Sequence, residues 1–138
     1  MTTTTKYTQL VQPNYDIESG AGYSLAHVQN MFGAPLRHHT SWEAWQATKH
    51  KHINEPFPDA KVPVWFFSSF MIDGNFKNVG HTLMWDPEKQ MLIGPPIAGY
   101  GKRWYNLEDV TTTRRSGGQT ILVGWSEDIN GLRVVKPK

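Results

Sequence analysis

Apolar residues recur at helical spacing early in the chain. Leu25, Val28 and Phe32 are separated by three or four residues, as on one face of a helix. Gly33, closely followed by a proline, is a typical helix end. The pattern predicts a short helix with Ser24 at or near its N-terminus.

A second helix is predicted to begin at Thr40. Thr40 and Glu43 have capping-box spacing, and Trp42 and Trp45 then share one helix face. The charged segment KHKH (49–52) should lead from this helix into a loop broken by proline.

The middle of the chain has the composition of strands. VPVWFF (62–67) is rich in β-branched and aromatic residues and predicts a buried strand. After a turn at 73–74, the segments HTLMW (81–85) and QMLI (90–93) should form a hairpin, because DPEK (86–89) between them has turn residues.

The remaining segments complete an α+β prediction. Residues 94–105 are interpreted as a loop rich in Gly, Pro and aromatic residues, and Asn106 as the cap of a short helix. ILVGW (121–125) and LRVV (132–135) should form a closing hairpin. Helices followed by an antiparallel sheet give the α+β class.

Length and composition indicate one domain of 138 residues, with an N-terminal arm over 1–13 and the domain over 14–138. The net charge of +2 without a basic run argues against nucleic-acid binding. No apolar stretch reaches the length of a membrane span or a signal peptide, so we expect a soluble chain with no membrane partner.

Cysteine is absent, which excludes disulfides, thiolate metal sites and a cysteine nucleophile. His38 and His39 are adjacent, and His50 and His52 are two apart, so neither pair has the i, i+4 spacing of a zinc helix. We predict no metal and no cofactor.

Ser24 and His81 are candidates for chemistry. A helix N-terminus carries unpaired N–H groups and a partial positive charge that stabilise an oxyanion, and a histidine on a facing strand can act as general base. The alternatives are structural: serine is a common helix cap, and a single histidine is commonly part of the core.

The segments GYSLAHVQNMFG, SWEAWQ, VPVWFF, GHTLMW, GPPIAGYG and GWSEDINGLRVV lie in this order within residues 14–135. Together they resemble phage-type peptidoglycan hydrolases (endolysins) related to the CHAP and NlpC-type papain-like cysteine amidases. The resemblance implies a papain-like fold with N-terminal helices packed on an antiparallel sheet. It also implies that Ser24 replaces the cysteine nucleophile and that His81 is the catalytic histidine.

A serine cannot be tuned to a thiolate, so a site of this family with Ser24 should be inactive or strongly impaired. The residue that orients the histidine in such sites is polar and lies on the next strand, where this chain has apolar residues. Asp86 and Gln90, which border the hairpin turn, are the remaining candidates, or they are only turn residues.

Further residues could contact a substrate. Tyr23 and His27 lie close to Ser24 in sequence, while Tyr100, Arg103 and Trp104 lie in the glycine-rich loop, where exposed aromatics can stack on sugars and cations can meet carboxylates. The alternatives are a solvated helix residue for His27 and an ordinary packed loop for the others.

Two functions are therefore expected. One is a peptidoglycan hydrolase that cleaves cell-wall peptides, made in a phage-infected host and acting at the wall. The other is a degenerate, non-catalytic homologue that binds the bacterial wall or is a structural part of a phage virion, with other phage proteins as partners.

Overall fold

The computed structural model describes residues 6–112 and 119–138, and the described chain is mostly β, with 40% strand and 17% helix. The strands are β1 (Tyr7–Gln9), β2 (Ser19–Gly20), β3 (Lys51–Ile53), β4 (Val62–Ile72), β5 (Asn75–Asn78), β6 (His81–Asp86), β7 (Met91–Gly94), β8 (Tyr100–Gly101), β9 (Arg103–Tyr105), β10 (Thr120–Ser126), β11 (Asp128–Ile129), β12 (Leu132–Arg133) and β13 (Val135–Pro137). The helices are α1 (Ser24–Phe32), α2 (Ser41–Ala47) and α3 (Leu107–Thr112).

The predicted α+β, papain-like class, with N-terminal helices packed on a sheet, is wrong. The dominant element is a seven-stranded antiparallel sheet, and the described helices are short segments of 6 to 9 residues. Eight of the strands have only two or three residues, and five of these, β1, β2, β3, β8 and β13, pair with partners distant in sequence. Such pairings leave no local pattern, because alternation needs about four residues to be visible.

The large sheet has the strand order β3, β10, β4, β6, β7, β9, and β5 pairs with the far end of β4. The sheet has two covered faces, because β4 and β6 are buried on both sides. We call the side that contacts α1 and α2 the helix face. There the rings of Trp45 and Trp65 lie 6.0 Å apart, and Thr82 donates to Ser41.

The opposite side, which we call the α3 face, carries the alternate residues of the same strands. Phe66 and His81 are direct cross-strand partners, and their rings lie 5.8 Å apart. Leu83 and Tyr105 border a small cavity on this face together with Val110 of α3. Alternation along each strand therefore separates Thr82 and His81 onto different faces.

The predicted helices are confirmed. α1 ends at Gly33, whose φ of 72° is left-handed, and α2 begins after Thr40, whose hydroxyl accepts the N–H of Glu43 at 3.1 Å. Asn106 caps α3 by accepting the N–H of Asp109 at 2.8 Å.

Two predicted turns are also confirmed. Asp73 and Gly74, with φ of 50° and 80°, close the hairpin of β4 and β5. Two positive φ values suit a tight hairpin connection. β6 and β7 form the expected hairpin around residues 87–90.

The predicted closing hairpin of 121–125 with 132–135 is wrong. β10 pairs with β3 and β4, while β12 pairs with β11 across Asn130 and Gly131. Both turn residues have positive φ, 51° and 84°, so the chain reverses after two residues and leaves β10 free for the large sheet.

Three more segments are strands where none was predicted. The 94–105 loop contains β8 and β9, and the charged 49–52 segment enters β3. Within the predicted arm, Tyr7–Gln9 pairs with β13 near the other end of the chain. Residues 1–5 of that arm lie outside the described residues.

Across residues 6–112 and 119–138, none of the helices has the length and apolar character needed to cross a membrane.

Candidate functional site

An open groove of about 620 Å³ lies at the start of α1. It is lined by residues 22–26, 29, 36–41 and 79–80, and we call it the Ser24 groove. Gly22, with a φ of 87°, turns the chain into α1, and Gly80 packs against the start of α2 so closely that a Cβ would lie 2.6 Å from the Trp42 nitrogen. Its volume is in the range of small-ligand sites.

Ser24 is the first residue of α1 and is buried in the floor of this groove. Its Oγ accepts the backbone N–H of Thr82 at 3.3 Å. The residue in the cap position, Tyr23, makes no side-chain capping bond, so the N–H groups of the first turn have no side-chain cap.

His81 lies on the α3 face and directly precedes Thr82, whose backbone N–H donates to Ser24. Its ring packs against Phe66, and it borders a cavity of about 30 Å³ whose lining does not include Ser24. Such a space holds about one water molecule. His81 is thus not part of the lining of the Ser24 groove.

Asp86 and Gln90 lie at the far end of β6 and its hairpin turn. Five residues of strand separate Asp86 from His81, or about 17 Å. The Asp86 carboxylate accepts the Tyr15 hydroxyl at 2.5 Å and the N–H of Glu88 at 2.8 Å. Gln90 donates to the Pro87 carbonyl at 2.7 Å. In this structure both residues stabilise a turn.

The bond to Asp86 changes the acidity of Tyr15. Burial and the hydrogen bond to the neighbouring carboxylate raise the pKa of Tyr15 far above its ordinary value. Tyr15 therefore remains a neutral donor, which fixes segment 14–16 to the hairpin.

Tyr23 and Tyr100 are strongly exposed, at 66% and 74%. Tyr100 pairs with Gly20 in the small sheet of β2 and β8, and the Tyr23 ring lies 3.5 Å from where a Cβ of Gly20 would be. Tyr23 lines the groove, whereas Tyr100 lies on the strand paired with the segment just before it.

His27 does not line the groove. It is fully buried, and its Nε2 donates to the Ile17 carbonyl at 2.9 Å, while Nδ1 has no partner among the described residues. Burial lowers the pKa of His27 below its ordinary value, despite the hydrogen bond to Ile17. A neutral His27 ties the segment before α1 to the helix.

Arg103 and Trp104 lie on strand β9 and not on a loop. The Arg103 guanidinium lies 5.3 Å from the Tyr105 ring, and Trp104 packs edge-on against Tyr15 with ring centroids 5.7 Å apart. Neither residue lines the Ser24 groove.

Sequence reasoning did not identify the long polar side chains that line the groove: Gln29, Arg37, His38 and His39. The two histidines were considered only as metal ligands. Their signal was the short segment 34–40, since it leads directly from the end of α1 to the start of α2, which borders the groove. Among the described residues, no group of His, Asp and Glu could hold a metal ion.

Comparison of the chain with models of protein families, with curated proteins and with solved structures found no match. The resemblance to peptidoglycan hydrolases therefore stays a prediction from the sequence motifs.

Proposed function

We propose that this protein binds bacterial peptidoglycan in the Ser24 groove without cleaving it. The observation that carries this proposal is that His81 does not line the Ser24 groove and borders a separate small cavity. General-base catalysis needs direct or single-water contact between the base and the hydroxyl, and a histidine outside the groove lining is poorly placed to act on a ligand bound there.

The groove itself favours a binding role. It is open and of ligand size, the exposed Tyr23 lines it, and the exposed Tyr100 belongs to the strand paired with Gly20. Aromatic rings with a polar tip are suited to stacking on sugar rings while remaining in contact with water. The motif resemblance supplies the class of ligand, a cell-wall glycopeptide.

Co-sedimentation with purified, insoluble Gram-positive peptidoglycan tests this function. The native protein should pellet with the wall, and the Tyr23→Ala/Tyr100→Ala variant should bind about tenfold more weakly. Phe76→Ala is the matched control, because Phe76 is also an exposed aromatic, at 60%, but does not line the groove. Absence of native binding, or equal loss in the control, would contradict the proposal.

A hydrolase is the second candidate, favoured by the position of Ser24 at the start of a helix in an open groove. Ser24→Cys would supply the thiol that the motif resemblance implies. Wall turbidity and released amines should stay unchanged for this variant if the protein only binds. Ser41→Cys, also buried in the groove, controls for a thiol at a neighbouring position. Wall cleavage by Ser24→Cys alone would favour the hydrolase.

A further inference from the structure

The lining of the Ser24 groove is rich in hydrogen-bond donors and contains no acidic residue among its fourteen described members. Arg37 supplies a permanent positive charge, and His38 and His39 add imidazoles. A surface of this composition favours a negatively charged ligand.

Gln29 provides a buried donor, its Nε2, that has no acceptor among the described residues. It is only 2% exposed, yet it lines the groove. Asn130 uses Nδ2 to donate to the Pro35 carbonyl at 2.8 Å and to Oε1 of Gln29. Because a carbonyl can only accept, the Asn130 amide orientation is fixed, and Gln29 must present Oε1 to it. Its Nε2, which has no acceptor among the described residues, is the polar atom left for the groove.

Ser24 provides a second buried donor. Its oxygen accepts the N–H of Thr82, and its hydroxyl hydrogen has no acceptor in the part of the chain that the structure describes. Leu25 and Ala26, which follow it in the first turn of α1, also line the groove. Their N–H groups belong to a nine-residue helix without a side-chain cap.

We infer that the Ser24 groove binds the terminal carboxylate of a peptide with small apolar side chains. The donors of Ser24, Gln29 and Arg37 would hold the carboxylate, since a guanidinium binds a carboxylate through two parallel hydrogen bonds.

The apolar residues that line the groove favour a peptide over a phosphate polymer as its ligand. Leu25, Ala26, Leu36 and Val79 line the same groove, and Leu36 is 76% exposed. A peptide end carries apolar side chains next to its carboxylate, whereas a polyol phosphate has none to bury. The inference rests on the proposed function for the source of the peptide, which is the stem peptide of the wall.

The test is a titration of the full chain followed by ¹H–¹⁵N NMR, with N-acetyl-alanyl-alanine as its L,L and D,D isomers. The backbone signals of Leu25 and Ala26 and the side-chain amide of Gln29 should shift with at least one isomer. The C-terminal amide of the same dipeptide should produce no such shifts. Equal shifts with the amide, or none with either isomer, would overturn the inference.

Two variants test whether Gln29 and Arg37 donate hydrogen bonds to the carboxylate. Gln29→Glu keeps an oxygen for Asn130 and replaces the free donor by a negative charge, so it should abolish the shifts. Arg37→Gln should weaken binding about tenfold. Gln119→Glu and Lys136→Gln, both exposed and outside the groove lining, make the same charge changes and should bind normally. Unfolding curves of each variant identify any loss of folding, and normal binding by a folded Gln29→Glu would overturn the inference.

Competition by inorganic phosphate distinguishes a peptide carboxylate from a phosphate group as the ligand of the groove. Phosphate should compete weakly, because it lacks the apolar side chains, and competition as strong as that of the dipeptide would overturn the peptide assignment. Dipeptide binding by a protein that does not sediment with the wall would refute the proposed function while leaving the carboxylate site intact. Wall binding without any dipeptide shift would refute only the inference.

Discussion

Thr82 is the residue of β6 that meets the start of α1. Its backbone N–H reaches Ser24 and its hydroxyl donates to Ser41 at 2.8 Å, so one buried threonine joins the first residues of two helices. Its neighbour His81 points to the opposite face. Because consecutive side chains of a strand point to opposite faces, Thr82 faces the helices and His81, one residue earlier, does not line the groove.

Gly124 lies so close to the backbone of the neighbouring strand that a larger residue would not fit there. A Cβ there would lie 2.2 Å from the His52 carbonyl oxygen, which belongs to the paired strand β3. Gly124→Ala should therefore destabilise the protein by about 2 kcal/mol or more, because backbone must move.

Urea unfolding of Gly124→Ala measures this loss. Gly20→Ala is the control, since its nearest neighbour would be a Tyr23 side-chain atom at an ordinary 3.5 Å. An equal midpoint for Gly124→Ala and the native protein would contradict the close approach.

At the scale of elements, the caps set where the short helices begin. Thr40 caps α2 through the N–H of Glu43, and the Glu43 carboxylate accepts the N–H of His39 at 3.3 Å. A seven-residue helix has little stability of its own, so its cap and its packing on the sheet determine whether it forms.

Thr40→Ala should reduce the free energy of unfolding by about 1 kcal/mol, because the Glu43 N–H loses its acceptor. Thr40→Ser retains the hydroxyl and should be close to the native protein. Thermal or urea unfolding of the three proteins separates the cap from any other effect, and an equally large loss in the serine variant would argue against it.

At the scale of the whole molecule, Glu127 links segments that are far apart in the chain. Its carboxylate accepts His52 Nε2 at 2.6 Å and an Arg133 guanidinium nitrogen, and the His52 ring stacks on Trp125 at 3.9 Å. Tyr7 of β1 packs edge-on against both rings. One buried carboxylate thus helps to hold the two ends of the chain against the large sheet.

Burial alone would raise the pKa of Glu127, but the hydrogen bonds from His52 and Arg133 outweigh it and hold that pKa below its ordinary value. A depressed carboxyl pKa stabilises the fold above the unfolded-state value of about 4.3, and this contribution is lost as the pH falls further. Glu127→Gln should therefore be less stable than the native protein at neutral pH, and the difference should shrink below about pH 4. A difference independent of pH, in urea unfolding over that range, would contradict this role.

His27 is a second residue that makes the free energy of unfolding fall at acid pH. Because its folded-state pKa is lowered, the unfolded chain binds the proton more readily, and stability falls as the pH drops below about 6.5. His27→Gln can still donate to the Ile17 carbonyl but cannot titrate. Between about pH 7.5 and about pH 5.5 it should lose less stability than the native protein, and an identical pH dependence of the two would contradict the assignment.

Local sequence determined the helices, their caps and the two hairpin turns, because each depends on residues within about four positions of one another. It also placed Ser24 at a helix start and Tyr23 beside it. The short strands β1, β2, β3 and β8 could not be found this way, since their partners lie far along the chain.

The sequence also requires that His81 and Thr82 point to opposite sides of a strand, because side chains alternate. It does not say on which side α1 packs. That choice depends on how the buried residues of β4, β6 and the two helices fit together, and only the tertiary structure decided it. The same packing brought Gln29, Arg37 and Ser24 into one groove, since contacts between segments distant in sequence follow from the closed core and not from local spacing.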